Sequence, residues 1–451
     1  MSRDLAFLLP ELTLMITAAL MLIGEMIRMP RLVLAIGLGG LALATWFSLP
    51  LLGADATVFG GTYRIDRLAV WSKLILLPAT ALCLLLARAE VAGRFREGSV
   101  YSLMMLVTIG ALMLSGSGDV MLLVLGIVIT GLGSFALVAY PDDDASTEAS
   151  MKFLVFGSVA GAVMTYGLTF WYAAAGSTLF SALADISSMP LLAAAGLVAL
   201  LIGMGYKAAL VPFHFWAPDA YQGAPVSVAA YMSVVTKIAA IFALAQALQF
   251  LPIQTGWPWA IAAISALTMT YGYLAALVQS NLPRLIAYSS VAQSGYFLLA
   301  IVGVGAGTLA IDGLVVFGAA YAAMNIGAFA VILLAGRDME AIKGLGRRAP
   351  MLGVAMVVFL LSLAGIPPLF GFFGKALLFA AALEAGFLWL VVIAILNSVL
   401  ALAVYLRIVI AMYQPSADDT PPMKSVAASL VIAITVAVTL GLGLLTKLFM
   451  G

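Results

Sequence analysis

The chain has 451 residues, of which 64% are hydrophobic and only 9% charged, with a net charge of +1 and a mean hydropathy of +1.17. An ordinary soluble domain carries about 25% charge, so composition excludes a soluble globular protein, and no nucleic-acid partner is expected. The lone Cys83 cannot form an internal disulfide and excludes iron–sulfur ligation or a zinc finger within this chain.

Apolar blocks of about 17–25 residues, each long enough to cross a hydrocarbon core of about 30 Å, predict about 14 transmembrane helices. In chain order they are 5–25, 32–52, 66–87, 100–116, 119–140, 151–175, 190–215, 225–248, 257–279, 284–303, 308–335, 350–373, 375–397 and 425–447. The boundaries between the third and fourth and between the twelfth and thirteenth are the least marked. Lipid leaves no backbone group unpaired, so the spans are helices or a closed barrel. Long runs such as 351–365 and 425–446 lack period-2 alternation and exclude the barrel. The expected fold is an all-α polytopic membrane protein built as one membrane domain. It divides into an N-terminal three-helix segment (1–99), two five-helix repeats (100–248 and 257–412) and a last helix (425–447). The opening MSRDLAFLLPELTL has an acid in its first residues and no small-residue cleavage site, so it reads as a permanent span. Gly37-Leu-Gly39-Gly40 lies inside the second span, which rules out a dinucleotide-binding turn there. The run Asp142-Asp143-Asp144 reads as a solvated loop turn.

Loops after odd-numbered spans hold 13 basic residues: Arg28, Arg31, Arg88, Arg94, Arg96, Lys152, Arg284, Arg337, Lys343, Arg347, Arg348, Arg407 and Lys424. The other side, with both termini, holds four: Arg3, Arg64, Arg67 and Lys447. Basic loops stay inside, so both termini are expected in the periplasm of a bacterial cell with the chain in its inner membrane. The remaining four of the 21 basic residues are Lys73, Lys207, Lys237 and Lys375, each inside an apolar stretch. A charge at the bilayer centre costs roughly 2.5–3.5 kcal/mol on insertion scales, and such residues mark ion or proton paths.

Two spans are interrupted. The seventh meets Val211-Pro212-Phe213-His214, then Trp216-Ala217-Pro218-Asp219; the twelfth meets Gly365-Ile366-Pro367-Pro368, then Gly371-Phe372-Phe373-Gly374. Proline removes a donor and clashes with the preceding turn, and broken helices at membrane depth line cavities or are buried in protein. The breaks fall five spans apart. An odd offset reverses chain direction, so spans 4–8 and 9–13 are expected to form an inverted repeat with the site between the halves.

Lys207 precedes the first break and Lys375 follows the second; Lys237 is mid-span behind Ser233 and Thr236. Burial disfavours a lysine's charged form, which suits a group that must release a proton. Snorkelling to an interface is the plain alternative, and for Lys73 the two readings stand level. His214, the single histidine, reads either as a proton relay or as a local cap on the freed backbone. Tyr288-Ser289-Ser290, Gln293, Tyr321 and Asn325 place hydroxyls and amides on the tenth and eleventh spans; helix-packing glue is the expected role of Ser289 and Ser290. Glu11, Glu25, Asp119 and Glu384 lie near span ends or in ambiguous positions, so Lys207 has no evident carboxylate partner.

These residues carry a resemblance. Lys207-Ala-Ala-Leu-Val-Pro212-Phe-His214-Phe-Trp216-Ala-Pro218-Asp219-Ala-Tyr221-Gln-Gly223-Ala-Pro225, with Lys237, resembles the antiporter-like membrane subunits of respiratory complex I. Pro283-Arg284-Leu-Ile-Ala-Tyr288-Ser289-Ser290-Val-Ala-Gln293-Ser-Gly295-Tyr296 is similar to their tenth span, and Gly365-Ile-Pro367-Pro368-Leu-Phe-Gly371-Phe-Phe-Gly374-Lys375 to their twelfth. Within that family, Tyr221-Gln-Gly-Ala-Pro225 and the lysines resemble the subunit N branch. The resemblance implies a proton-translocating part of NADH:quinone oxidoreductase, in which NADH, flavin (FMN), iron–sulfur clusters and quinone belong to partner subunits and this chain holds no cofactor or metal. It implies other membrane-arm subunits and the bilayer as partners. It implies Lys207 as the switching lysine of a first half-channel, Lys237 as the connecting lysine and Lys375 as the lysine nearest the exit.

One position departs. The family's fifth span typically carries a glutamate where Leu125-Gly126-Ile127-Val128-Ile129-Thr130-Gly131-Leu132 has Val128. That carboxylate normally faces the lysine matched by Lys207, and its loss removes an opposite charge that favours the protonated form. The expectation is a lysine that gives up its proton more readily, or replacement of the acid by water and a neighbouring subunit. Gln293 stands where histidine is common. The alternatives are a subunit of a related cation/proton antiporter or membrane hydrogenase, and a non-pumping scaffold of the membrane arm.

Overall fold

The computed structural model of the chain describes residues 2–415 and 421–445; Lys447 and the end of the last predicted span lie outside the described residues. The helices that matter are α1 (Leu9–Met26), α2 (Pro30–Ser48), α3 (Arg67–Val91), α4 (Glu97–Ser115), α5 (Val120–Val138), α6 (Asp144–Ala175), α7 (Pro190–Ala208) and α8 (Trp216–Gly223). They continue with α9 (Val226–Leu248), α10 (Trp257–Ala276), α11 (Leu282–Ile301), α12 (Leu309–Ala335), α13 (Pro350–Ala364), α14 (Phe370–Glu384), α15 (Leu388–Tyr413) and α16 (Val426–Leu445). Among the described residues 12 helices are long and apolar enough to cross a membrane. α11, whose hydroxyls and Gln293 dilute its hydropathy, and the broken pair α13 and α14 supply the two further crossings the sequence predicts.

One predicted boundary is corrected. The spans 350–373 and 375–397 are α13, α14 and the start of α15. The real break falls after Ala364, and α14 ends at Glu384 before a turn at Gly386, whose φ is +82°. Between α2 and α3 the loop forms a small antiparallel hairpin, β1 (Ala56–Val58) with β2 (Tyr63–Ile65), pairing Ala56 with Ile65. The all-helical reading did not include it.

Helix starts follow side-chain caps. Asp66, Asp119 and Asn281 accept from the backbone N–H groups of Ala69, Leu122 and Arg284 at 2.9, 2.6 and 3.1 Å. Asp143 heads α6 in a reciprocal box with Ser146, so the acidic run 142–144 is a helix start. Each capped donor would otherwise be unpaired at the membrane edge. Glu90 at the end of α3 reaches the other way and takes the N–H groups of Val226 and Ser227 at 2.8 Å each, fixing the start of α9. At about 1.5 Å per residue α6 is about 48 Å long, more than a hydrocarbon core, so it runs tilted or past the membrane edge.

Every residue of α9 is buried, and α12 is nearly so. These two helices form the core of the bundle, with α3, α4 and α11 against them, while α1, α2, α6 and α15 present much of their surface outward. The three lysines of interest sit on the inner layer.

Candidate proton pathway

At the first break, α7 ends with Ala209 in the left-handed region at φ +55°. Backbone groups released here find partners elsewhere. Trp216 Nε1 donates to Tyr206 O at 2.8 Å, and Ser294 Oγ donates to Ala208 O at 2.7 Å. Thr268 Oγ1 accepts from Val211 N–H at 3.1 Å. The break is therefore tied to α10 and α11 by hydrogen bonds that a continuous helix would have spent on itself. Lys207, the next-to-last residue of α7, is 1% exposed, and its Nζ has no hydrogen-bond partner among the described residues. Its Nζ stands 5.9 Å from the centroid of the Phe153 ring.

α9 carries a feature that the sequence does not announce. Met232–Thr236 form a π-turn, and Lys237 is the next residue. Such widened turns often sit at functional sites. Lys237 Nζ donates to the Ser290 carbonyl at 2.9 Å and to the Ser290 hydroxyl, which in turn lies 2.7 Å from Tyr321 OH. Ser290 thus takes part in lysine contact and is more than packing glue. Ser294 Oγ also reaches Ser290 O at 3.0 Å, so one hydroxyl touches both the carbonyl beside Lys207 and the carbonyl that holds Lys237. Asn325 Nδ2 donates to Ser233 Oγ at 2.6 Å from the other side of the turn.

The second break is built on the same logic. Gly365 caps α13 at φ +89°, a conformation that other residues adopt only at a cost. Lys375 Nζ donates to Ala364 O at 3.2 Å and stands 4.0 Å from the centre of the Tyr296 ring, close enough for a cation–π contact. Gln293 Nε2 donates to Leu363 O at 3.0 Å and to Tyr405 OH at 3.3 Å, and Tyr405 OH lies 2.6 Å from Ser289 Oγ. Ser289 is adjacent to Ser290. Ser289, Ser290, Gln293 and Ser294 therefore set hydroxyls and an amide of α11 beside both the Lys237 contact and the carbonyls of the second break. Ser294 and Tyr296 stand in the tenth-span motif without an assigned role, and Tyr405 on α15 carries no signal in the sequence.

His214 lies in the turn between α7 and α8, 2% exposed, with its ring 4.5 Å from Phe215 and 4.6 Å from Tyr271. Its Nδ1 has no partner among the described residues. Among the described residues the ring caps no backbone group; the capping contact at this turn is the His214 carbonyl, which accepts from Ala217 N–H at 2.9 Å. The structure brings His214 into hydrogen-bond contact with none of the three lysines.

Lys73 is a different case. It is 0% exposed, and its Nζ lies 2.7 Å from Glu11 Oε1, which also accepts from Tyr63 OH at 2.5 Å. It neither snorkels nor joins the other lysines. The pair links α1 to α3. Near the end of the bundle, Asp219 of α8 receives Lys152 Nζ at 2.9 Å and Arg284 Nη1 at 2.5 Å, so the motif after the first break is clamped to α6 and α11.

Val128 is 47% exposed on the membrane side of α5, and it lines with Lys207 a cavity of about 590 Å³. α5 and α7 contain no acidic residue, and the acids of α6 are confined to its first turns.

Against known proteins, residues 117–401 match the family described as "NADH:quinone oxidoreductase/Mrp antiporter, TM". The NADH-quinone oxidoreductase subunit N of Desulfovibrio desulfuricans is 38% identical over 94% of this chain and 90% of that protein. A chain of respiratory complex I from Thermus thermophilus, solved with bound aureothin, superposes with a TM-score of 0.86 at 31% identity, covering 98% of each chain. A chain of the archaeal membrane-bound sulfane sulfur reductase has a TM-score of 0.88 at 24% identity over 99% of this chain and 95% of that chain, a likeness of fold alone.

Proposed function

The chain belongs to the transmembrane family of NADH:quinone oxidoreductase and Mrp antiporter subunits, and we propose on that premise that it conducts protons as a subunit of the N type in the membrane arm of an NADH:quinone oxidoreductase. The observation that carries this reading is the placement of three buried lysines at the two helix breaks and the π-turn, with hydroxyls and an amide of α11 set between these sites.

Lys207 is the loading group of the first half-channel, Lys237 the connecting group and Lys375 the group that hands protons toward the exit. A protonated lysine offers three donors, and a neutral one can accept. Ser290 Oγ both donates and accepts, so its proton can turn toward Tyr321 or toward Lys237 as Lys237 empties and fills. Ser294 couples the first break to the same carbonyl. Flavin, iron–sulfur clusters, NADH and quinone belong in partner subunits and supply the redox drive; this chain contributes the proton path. Spans 4–8 (α4 to α9) and 9–13 (α10 to α15) act as inverted halves, and the excess of basic residues in loops after odd spans supports termini in the periplasm of a bacterial inner membrane.

The test replaces Lys237 or Lys375 by Ala, verifies assembly of the enzyme on native gels, and measures NADH:quinone activity together with proton uptake into vesicles. Loss of uptake is expected in both variants. The unpaired Lys207 favours one competing reading, a scaffold that seals the arm without pumping; full uptake in both variants would decide for it.

A further inference from the structure

Lys207 lines a groove on the outer side of the bundle. α5, α6 and α7 enclose the cavity of about 590 Å³, with Val128 and Gly131 on one wall, Gly157, Gly161 and Thr165 on another and Lys207 at its floor. Val128 is the ninth residue of the 19-residue α5, so the opening lies at mid-membrane depth. Three observations bear on what fills it. First, a lysine that is 1% exposed and has no partner among the described residues leaves a charge-bearing group buried without compensation, the costly half of an ion pair. Second, Gly157, Gly161, Thr165 and Thr169 recur every four residues along the α6 wall, the small-residue stripe that lets another helix backbone approach closely in a membrane. A methyl group at Gly161 would meet nothing within 4 Å, so the stripe is uncovered there. Third, exposed Leu132 of α5 and exposed Tyr166 of α6 line the same groove, giving an apolar rim around a cationic floor.

We infer that this groove receives a transmembrane helix of a neighbouring membrane subunit, and that this helix brings an Asp or Glu carboxylate to Lys207 Nζ from outside the chain. Val128 then marks a site whose acid has moved to the partner. The inference rests on the reading that the chain works within a multisubunit membrane enzyme. A lipid tail would fill the volume but bring no anion to the floor.

The test uses the assembled enzyme in native membranes. Val128 is replaced by the photo-crosslinking residue p-benzoylphenylalanine, and adducts are identified by mass spectrometry. A parallel Val128→Cys enzyme is treated with a membrane-permeant maleimide, before and after the subunits are separated in detergent. The expected result is an adduct to an apolar, acid-containing helix of another subunit, with the introduced thiol protected in the assembly and labelled after separation. Neutralising that acid should abolish proton uptake, and Val128→Glu in the same background should restore it. Adducts to lipid alone, a partner helix without an acid, equal labelling in both states, or no rescue by Val128→Glu would each overturn the inference. Contact is read by the adduct and not by pumping, so a complex that assembles without pumping still gives the adduct and fails only the uptake arm.

Discussion

Replacing Glu11 by Gln should destabilise the N-terminal helices without touching the proton path. Lys73 is fully buried, and its Nζ lies 2.7 Å from Glu11 Oε1, which also holds Tyr63 OH. Removing one partner of a buried pair leaves an uncompensated charge and costs about 3–5 kcal/mol. Glu11 keeps a small exposed fraction, and Gln still offers an acceptor to Tyr63, so the lower figure applies. About 3 kcal/mol shifts a folding equilibrium by roughly a hundredfold. The double variant Glu11→Gln with Lys73→Met removes both charges and should recover most of the loss, because buried pairs are often replaced by apolar groups at little cost. The assay is thermal dissociation of the purified enzyme on native gels, for both singles and the double, alongside proton uptake at a permissive temperature. Equal stability of Glu11→Gln and the parent, or loss of uptake in a fully assembled double variant, would refute the assignment of Lys73 as a structural ion pair.

Gly365→Ala places a residue with a Cβ at φ +89°, where that carbon would lie 2.9 Å from Lys375 Cδ. A cost of about 1 kcal/mol from the backbone is expected, with a larger fall in proton uptake as Lys375 is displaced from Ala364 O; Gly386→Ala, also at positive φ but in open space, should lower stability alone, and uptake per NADH in the two variants separates these effects. Asp143 is held below the usual carboxylate range by hydrogen bonds from the backbone and side chain of Ser146. Its folded-state value is the lower one, so the cap's contribution is present above the ordinary carboxylate range and is lost as pH falls through the depressed value. Hydrogen-exchange protection factors at residues 146–148, which correct for the intrinsic slowing of exchange in acid, should therefore fall on acidification, and Asp143→Asn, which caps without titrating, should remove that pH dependence.

How much of this was legible in the chain depends on which contacts are local. Length and apolarity located nearly every helix, because in lipid each span satisfies its own backbone. The boundary between the twelfth and thirteenth spans failed where the turn Ala385-Gly386-Phe387 is as apolar as its flanks; Gly386 is its one mark. The broken spans and the lysines beside them were readable from proline and charge alone. The pairing of Lys73 with Glu11 was not, since it joins residues on α1 and α3 that no periodicity relates. The π-turn before Lys237 was also silent, because Met232-Ser-Val-Val-Thr236 has no glycine or proline to betray it. Ser294 and Tyr405 matter only because α11 turns one face toward both breaks, a consequence of packing. Val128 was conspicuous as a departure, but its outward position beside the Lys207 cavity required the fold.

In the proposed pathway Lys237 carries protons through α9 and α11. Its most direct test is the number of protons moved per NADH oxidised in inverted membrane vesicles of Lys237→Met, a substitution that keeps the length of the buried side chain. The expected result is an assembled enzyme whose proton yield per NADH falls below that of the parent. An unchanged yield, with Ser290 and Tyr321 intact, would contradict it.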